Sequence, residues 1–229
     1  MLNTVLVPIN RAGWPFVGLF AAASAAMAYV AQPLGLIGAV LTLWCAYFFR
    51  DPERVTPTRR GLIVSPADGI VQLVDAAVPP PELEMGDGSR PRVAIFMNVF
   101  NVHVNRSPCD GTITKSVYIT GKFFNASLDK ASEFNERQCL RMAMRDQEDD
   151  IAFVQIAGLI ARRILCHVAE GQALRAGERF GLIRFGSRVD VYLPEGATPL
   201  VAKGQISVAG ETVIVDLRSQ ESAGGGEIR

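Results

Sequence analysis

The sequence has few of the residues that build a metal site or a nucleic-acid surface. Only two histidines, His103 and His167, occur among its 229 residues. A zinc centre made of several histidines needs more than these, so we predict no metal. The chain holds 23 basic and 23 acidic residues, and its formal net charge is zero. No overall positive field therefore favours nucleic acid as a partner.

Cysteine is also scarce, and its spacing argues against a disulfide framework. None of the four cysteines forms a C-x-x-C pair, and Cys45 lies in an apolar stretch. Reduced thiols suit a cytoplasmic setting. The residues around Ser187 also lack the G-x-S-x-G pattern of the nucleophile elbow, which disfavours a conventional serine hydrolase.

Charge is absent from two apolar segments near the N-terminus, residues 14–31 and 34–49. As helices they would be about 27 and 24 Å long, against a hydrocarbon core of about 30 Å. We predict a membrane-associated helical hairpin over residues 1–50, either spanning or re-entrant. A signal peptide fits the second apolar segment poorly. A buried pair of core helices is the other alternative.

The charges that flank this hairpin predict its orientation. Arg11 precedes it, Arg50 and Arg54 follow it, and the turn between the two segments carries no charge. Positively charged flanks favour the cytoplasmic side of a membrane. We therefore expect the rest of the chain on the cytoplasmic face of the cell membrane.

The character of the chain changes after residue 50. Residues 51–217 consist of short apolar runs separated by Gly, Pro and Asp, which predicts a mostly β (α+β) domain, sandwich-like or barrel-like. Its turns resemble those of lipoyl-type and biotinyl-type folds, in which two quasi-symmetric halves interleave. Residues 127–148 are the best candidate for a helix, or else a polar excursion. Residues 218–229 are expected to form a flexible tail.

Three polar residues of this domain could carry chemistry: Asp68, His103 and Ser187. Each has an ordinary structural interpretation, as a turn former, a packed or surface histidine, and a turn or bulge serine. Together they supply the parts of a nucleophile, a base and an orienting group.

The pair Gly186-Ser187 lies in an apolar run that is typical of a β-strand, where glycine is unusual. An activated serine can attack the carbonyl group of the residue before it, and glycine permits the strained backbone that this attack needs. The peptide bond becomes an ester, and elimination breaks the chain. Loss of ammonia then leaves a pyruvoyl group, which captures amines as a Schiff base and acts as an electron sink.

Four segments in order, FFRDPER, SPADGIV, NVFNVHVNRSPCDG and RFGSRVDVYLP, resemble the short, pyruvoyl-dependent form of phosphatidylserine decarboxylase proenzymes. The resemblance extends from Phe48 to Leu217. It implies self-cleavage between Gly186 and Ser187, and a covalent pyruvoyl group (pyruvate) formed from Ser187 as the only cofactor. That group would form a Schiff base with phosphatidylserine, release CO₂ and yield phosphatidylethanolamine.

The resemblance also implies roles for single residues and for the two fragments. Asp68 and His103 match the pair that activates the serine for self-cleavage, and fragment 1–186 would stay associated with fragment 187–229. Longer family members carry a further histidine where this chain has Phe100. The proton for the carbanion must then come from His103, a tyrosine or water. The role of His167, the lipid-tail preference and the formation of a homo-oligomer stay open.

Two other functions are alternatives to this one. A membrane-anchored, non-enzymatic module of the lipoyl or biotinyl type would use Lys130, which lies in a polar stretch rather than a tight hairpin. A membrane-anchored zinc endopeptidase would need more histidines than the chain has. Within the enzyme class, another lipid with a serine headgroup is an alternative substrate.

Overall fold

A computed structural model describes residues 7–124, 134–145, 147–158, 163–184 and 186–219. Its contacts divide the chain into two compact units. The first contains Met1–Glu53 and the short segment Phe100–Val102. The second contains Arg54–Val99 and His103–Arg229.

The first unit is a pair of helices, α1 (Trp14–Val30) and α2 (Gln32–Phe48), preceded by a 3₁₀ turn at Arg11–Gly13. Each helix has a proline in its first turn, where no backbone donor is lost. Ala31 adopts an extended conformation and separates the two helices. The predicted pair of helices is thereby confirmed, with its break at Ala31, and Gln32-Pro33 forms the start of α2.

Glycines on α2 allow the two helices to touch. A Cβ atom at Gly35 would lie 2.4 Å from the Cβ of Ala28, and one at Gly38 would lie 2.8 Å from the Cα of Ser24. The Ser24 hydroxyl donates to the Gly35 carbonyl oxygen at 3.0 Å. Small residues that bring two backbones together in this way are typical of helix pairs in membranes.

The two ends of the hairpin are tied to each other. Ile9 and Arg50 form an antiparallel bridge, and the Asn10 amide donates to the Phe49 carbonyl oxygen at 2.8 Å. The Arg50 guanidinium stacks 3.7 Å from the centre of the Tyr47 ring. The flanking residues Arg11 and Arg50 therefore lie at the same end of the helix pair.

The second unit is built of strands. They are β1 (Leu62–Val64), β2 (Gly69–Ala77), β3 (Arg90–Met97), β4 (Val104–Arg106), β5 (Gly111–Ile119), β6 (Arg137–Met144), β7 (Asp150–Ala157), β8 (Ile164–Cys166), β9 (Ala173–Leu174), β10 (Arg179–Ile183), β11 (Ser187–Tyr192), β12 (Ile206–Ser207) and β13 (Val213–Asp216). A 3₁₀ turn, Pro81–Leu83, lies between β2 and β3.

In the described part of the chain these strands form three antiparallel sheets around one core. The largest has the order β12-β2-β3-β11-β7-β6-β5-β9, the second β4-β10-β8, and the third β1-β13. Side chains from all three sheets share one apolar cluster, which includes Val189, Phe180 and Ile214. Strand β11 lies near the middle of the largest sheet, and each of its residues is buried. The prediction of a mostly β domain after a helical hairpin is confirmed.

Two finer predictions have other outcomes. The helix proposed for residues 127–148 is wrong over Arg137–Met144, because those residues form strand β6. Alternate side chains of that strand face the core, and the charged ones between them pair elsewhere, as Arg137 does with Glu82 at 2.9 Å. Residues 127–133, and residues 220–229 of the predicted tail, lie outside the described residues. The quasi-symmetric, lipoyl-like arrangement stays a prediction.

Candidate active site

The Gly186-Ser187 pair stands at the junction of two sheets. Strand β10 ends at Ile183 in the three-stranded sheet, and β11 begins at Ser187 in the largest one. The expectation that the pair lies inside one strand therefore holds only for Ser187, the first residue of β11, whereas Gly186 lies outside both strands. Gly186 has φ 72°, a left-handed conformation that favours glycine, and apart from its chain neighbours no described residue lies within 4 Å of where its Cβ would be.

Ser187 is fully buried at the start of the central strand. Its register partners are Met97 on β3 and Ala157 on β7. Its Oγ atom has no hydrogen-bond partner among the described residues. A buried, unpaired hydroxyl costs about 1–3 kcal/mol, and such groups often have a catalytic role.

His103 is also fully buried, and it holds both ends of the β10–β11 connection. Its Nε2 atom accepts a hydrogen bond from the Gly186 amide at 3.2 Å. Its carbonyl oxygen accepts another from the Ile183 amide at 3.2 Å. An Nε2 atom that accepts carries no proton, so the geometry assigns a neutral imidazole with its proton on Nδ1. The ring can therefore act as a base beside the Gly186-Ser187 pair.

Asp68 lies in the turn between β1 and β2, and its carboxylate is well held. Oδ2 accepts from Arg54 at 2.7 Å, and Oδ1 accepts from the Ala209 amide at 2.8 Å. The Arg106 amide donates to the Pro66 carbonyl oxygen at 2.9 Å, which aligns this turn antiparallel to β4.

A second hydrogen bond fixes the register of that alignment, since the Val64 amide donates to the Pro108 carbonyl oxygen at 2.8 Å. These two hydrogen bonds place the segment from Val64 to Pro66, which leads into the Asp68 turn, beside the segment from Arg106 to Pro108 that follows His103 along the chain. The three predicted residues thus lie on neighbouring segments of the second unit. His103 contacts Gly186 through its Nε2 atom, and Asp68 lies in the turn two residues after Pro66.

Two buried amides on the same side of the sheet escaped the sequence analysis. Gln155 on β7 donates through Nε2 to Oδ1 of Asn105 on β4 at 2.9 Å, and neither residue is exposed to solvent. Asn105 lies on β4, two residues after His103. A single amide within an otherwise apolar strand, as Gln155 is in DIAFVQIA, was the signal that could have identified this pair.

The opposite face of β11 carries charges that are fully paired. Arg188 binds both carboxylate oxygens of Asp190, at 2.7 and 2.9 Å, and both side chains are completely buried. Arg92 approaches Asp190 at 3.4 Å and makes two bonds to Asp75, at 2.9 and 2.7 Å. On this face, burial foremost and then the nearby Asp190 charge raise the pKa of Tyr192 to about 12.

The remaining residues singled out from the sequence lie elsewhere. His167 is exposed, and its amide donates to the Phe180 carbonyl oxygen at 2.8 Å. Phe100 belongs to the first unit, where its ring is 61% exposed and its carbonyl oxygen accepts from Arg50 at 2.7 Å. Lys130, on which the non-enzymatic alternative depends, lies outside the described residues.

No group of three or more metal-binding side chains occurs in the described ranges of the chain. Burial raises the pKa of the Cys109 thiol, which is free, as are the thiols of the other cysteines. A cavity of about 400 Å³ is lined by Arg59, Arg60, Arg145 and Arg175, among other residues. None of the three candidate site residues lines it.

Comparison with known proteins gives one consistent result. Residues 41–215 match the sequence profile of the family described as phosphatidylserine decarboxylase. A phosphatidylserine decarboxylase proenzyme of Paramagnetospirillum magneticum is 63% identical over 97% of this chain and 92% of its own length. Proteins with the same name from Cereibacter sphaeroides and Ruegeria pomeroyi are 57% and 58% identical, over 100% and 95% of this chain and 98% and 99% of their own lengths.

Proposed function

Because the chain belongs to the phosphatidylserine decarboxylase family, we propose that it is a proenzyme that cuts itself between Gly186 and Ser187 and then decarboxylates phosphatidylserine. The products are phosphatidylethanolamine and CO₂. The observation that supports this best is the buried, unpartnered Ser187 Oγ directly after a left-handed glycine, with His103 Nε2 bonded to that glycine.

Self-cleavage begins at the Ser187 hydroxyl. Neutral, buried His103 accepts the hydroxyl proton while Oγ attacks the Gly186 carbonyl carbon, and an ester replaces the peptide bond. Elimination across residue 187 breaks the ester, frees the Gly186 carboxylate and leaves dehydroalanine at the new terminus. Addition of water and loss of ammonia give the pyruvoyl group.

The residues around the junction fit that group. The open space beside Gly186 lets the cut ends separate, and the orphaned Ser187 oxygen is not needed by any neighbour in the described part of the chain. When present, the pyruvoyl carbonyl supplies an electrophile for the substrate amine and a sink for the electron pair that CO₂ leaves behind.

Within this scheme Asp68 orients His103, and His103 also handles the proton that the product needs. Asp68 is itself held by Arg54 and the Ala209 amide, so it can hold a neighbour in place. Tyr192 is an unsuitable proton donor because its side chain packs in a separate cluster on the opposite face of the sheet from Ser187. We assign this step to His103 or to a water molecule that it binds.

The two fragments should stay together after cleavage. Strand β11 would become the N-terminal end of fragment 187–229, and it lies between β3 and β7 with all six of its residues in register on both sides. These backbone ladders do not involve the broken bond. Fragment 1–186 would therefore keep its partner without a covalent link.

We further propose that the helix pair associates with the cell membrane, with the β unit on the cytoplasmic face. The apolar helical segment Arg11–Val30 is long enough to cross, whereas Gln32–Phe48 is shorter. Large apolar side chains on both helices are exposed, among them Leu19, Leu36 and Val40. Protease outside sealed, right-side-out vesicles should spare the β unit, and its digestion there would contradict the orientation.

Intact-mass analysis of the purified full chain tests the main proposal. Cleavage should give a small fragment of 43 of the 229 residues, or about 4.7 kDa of the 24.8 kDa chain. Its N-terminus should be blocked, and it should become covalently linked to an added amine under cyanoborohydride. An uncut chain that still decarboxylates phosphatidylserine, or a small fragment with a free serine amine, would rule the proposal out.

A further inference from the structure

A row of buried side chains crosses strand β11 beside Ser187. Gln155 Nε2 donates to Asn105 Oδ1 at 2.9 Å, and Asn105 Nδ2 lies 3.6 Å from the Met97 sulfur. Gln155 is opposite Val189 on one side of β11, and Met97 is opposite Ser187 on the other side. The row that joins them must therefore pass over β11 at its first residues, on the face that carries Ser187.

The backbone is shaped to admit this row. The Gln155 amide lies against Gly181 on β10, where a Cβ atom would be 2.9 Å from Gln155 Nε2 and 2.5 Å from the Leu165 carbonyl oxygen. Glycine is thus required for β10 to approach the amide so closely. Asn105, Gln155 and Met97 are each completely buried.

The sulfur fixes the direction of the hydrogen bonds along the row. A thioether accepts hydrogen bonds and cannot donate them, so Asn105 presents its NH₂ group to Met97. The Asn105 side-chain oxygen then faces Gln155, so Gln155 must donate to it through Nε2. The atom left over is Gln155 Oε1, which is buried and has no partner among the described residues.

We propose that Gln155 Oε1 binds the amino group of the serine headgroup and orients it toward residue 187. This inference depends on the proposed function. A free acceptor selects a donor, and the amine is the donor that the headgroup offers, since its carboxylate and phosphate present only acceptor oxygens. An amide oxygen does not take a proton at ordinary pH, so Gln155 positions the amine and leaves proton transfer to His103. Asn105 is the positioning residue that keeps the amide turned this way.

The experiment compares Gln155→Leu, Gln155→Glu and the control Gln138→Leu with the native chain. Gln138 is a suitable control because it is buried, lies opposite Gln155 on β6 and already bonds the Ser116 hydroxyl at 3.0 Å. Two quantities are measured: the extent of self-cleavage, which involves no substrate, and the rate at which phosphatidylserine in mixed micelles is trapped on the small fragment by cyanoborohydride.

We expect Gln155→Leu to cleave as the native chain does and to trap lipid about 10- to 100-fold more slowly, the usual effect of losing a hydrogen bond to a charged group. A fully buried glutamic acid favours its neutral form, so Gln155→Glu can donate its O–H to Asn105 Oδ1 and still offer a free carbonyl acceptor. It should therefore trap lipid at a rate closer to native, and Gln138→Leu should be unaffected. Equal trapping by Gln155→Leu, slower trapping by Gln155→Glu than by Gln155→Leu, or failure of Gln155→Leu to cleave would each overturn the inference. If the native chain neither cleaves nor traps an amine, the proposed function itself fails.

Discussion

The two faces of strand β11 bury polar groups in opposite ways. On one face the charges of Arg188 and Asp190 are joined to each other and, through Arg92, to Asp75. On the other face, the Ser187 hydroxyl and one oxygen of Gln155 are buried with no partner in the described residues. Ser187 from one arrangement and Arg188 from the other are adjacent residues of β11.

The difference separates the residues that hold the strand from those that react. An unpaired buried polar atom costs free energy, whereas a paired one is held in a single geometry. Since successive side chains alternate between faces, a shift of one residue would place Arg188 where Ser187 belongs. The ion pair between Arg92 on β3 and Asp190 on β11 thus favours the register that keeps Ser187 at the junction, and it does not involve the bond that is cut.

The largest effect should come from removing the unpaired hydroxyl. Ser187→Ala should abolish both self-cleavage and decarboxylation while the chain stays folded, because no hydrogen bond to Oγ is lost. Ser207→Ala is a matched control, since Ser207 is also buried and its Oγ also lacks a partner among the described residues. A denaturing gel should show two fragments for Ser207→Ala and one uncut chain for Ser187→Ala. Cleavage of both variants would disprove the role of Ser187.

The second-largest effect tests His103 as the base that accepts the proton of the Ser187 hydroxyl. His103→Gln should slow self-cleavage about 10²- to 10⁴-fold, the usual contribution of a general base. His167→Gln controls for the loss of a histidine, because His167 is the other one in the sequence and is exposed. The rate is measured by the disappearance of newly synthesised full-length chain. Equal rates in the two variants would leave His103 with a structural role only.

Breaking the ion pair between Arg188 and Asp190 should instead lower the free energy of unfolding. Arg188→Met leaves Asp190 buried with Arg92 alone, at 3.4 Å, and removal of one partner of a buried ion pair costs about 3–5 kcal/mol. Urea unfolding in the Ser187→Ala background, where the chain stays in one piece, measures the free energy of unfolding.

The control for that variant removes both charges. Replacing Asp190 by Leu together with Arg188→Met should recover much of the lost stability, because no unpaired charge then remains. If Arg188→Met is as stable as its Ser187→Ala parent, the ion pair between Arg188 and Asp190 contributes little to the stability of β11.

Local patterns made the helix pair and most strands predictable, because an uncharged run or an alternation of apolar residues can be read along the chain. Strand β6 was mistaken for a helix candidate because its outward residues, such as Arg137, find partners far away in sequence. The Gly186-Ser187 pair could be singled out from its own residues, because glycine is unusual in a strand-like run, and the family resemblance then implied cleavage there. The side chains around the pair could not be predicted, since the hydrogen bond between Asn105 and Gln155 joins residues that are 50 positions apart in the sequence.

The smallest effect concerns alkaline stability on the paired face. Burial, foremost, and the Asp190 charge raise the pKa of Tyr192 to about 12, against about 10 for an unfolded chain. A raised pKa in the folded state stabilises the fold fully below pH 10, and this contribution, at most about 3 kcal/mol, is lost as pH rises toward 12. Tyr192→Phe cannot ionise, so its free energy of unfolding should fall less steeply than that of its Ser187→Ala parent between pH 9.5 and 11.5. Cys139, whose pKa burial raises to about 12, titrates in both chains and cancels in the difference. Urea unfolding at several pH values gives the two curves, and parallel curves would mean that the Tyr192 hydroxyl reaches solvent before it ionises.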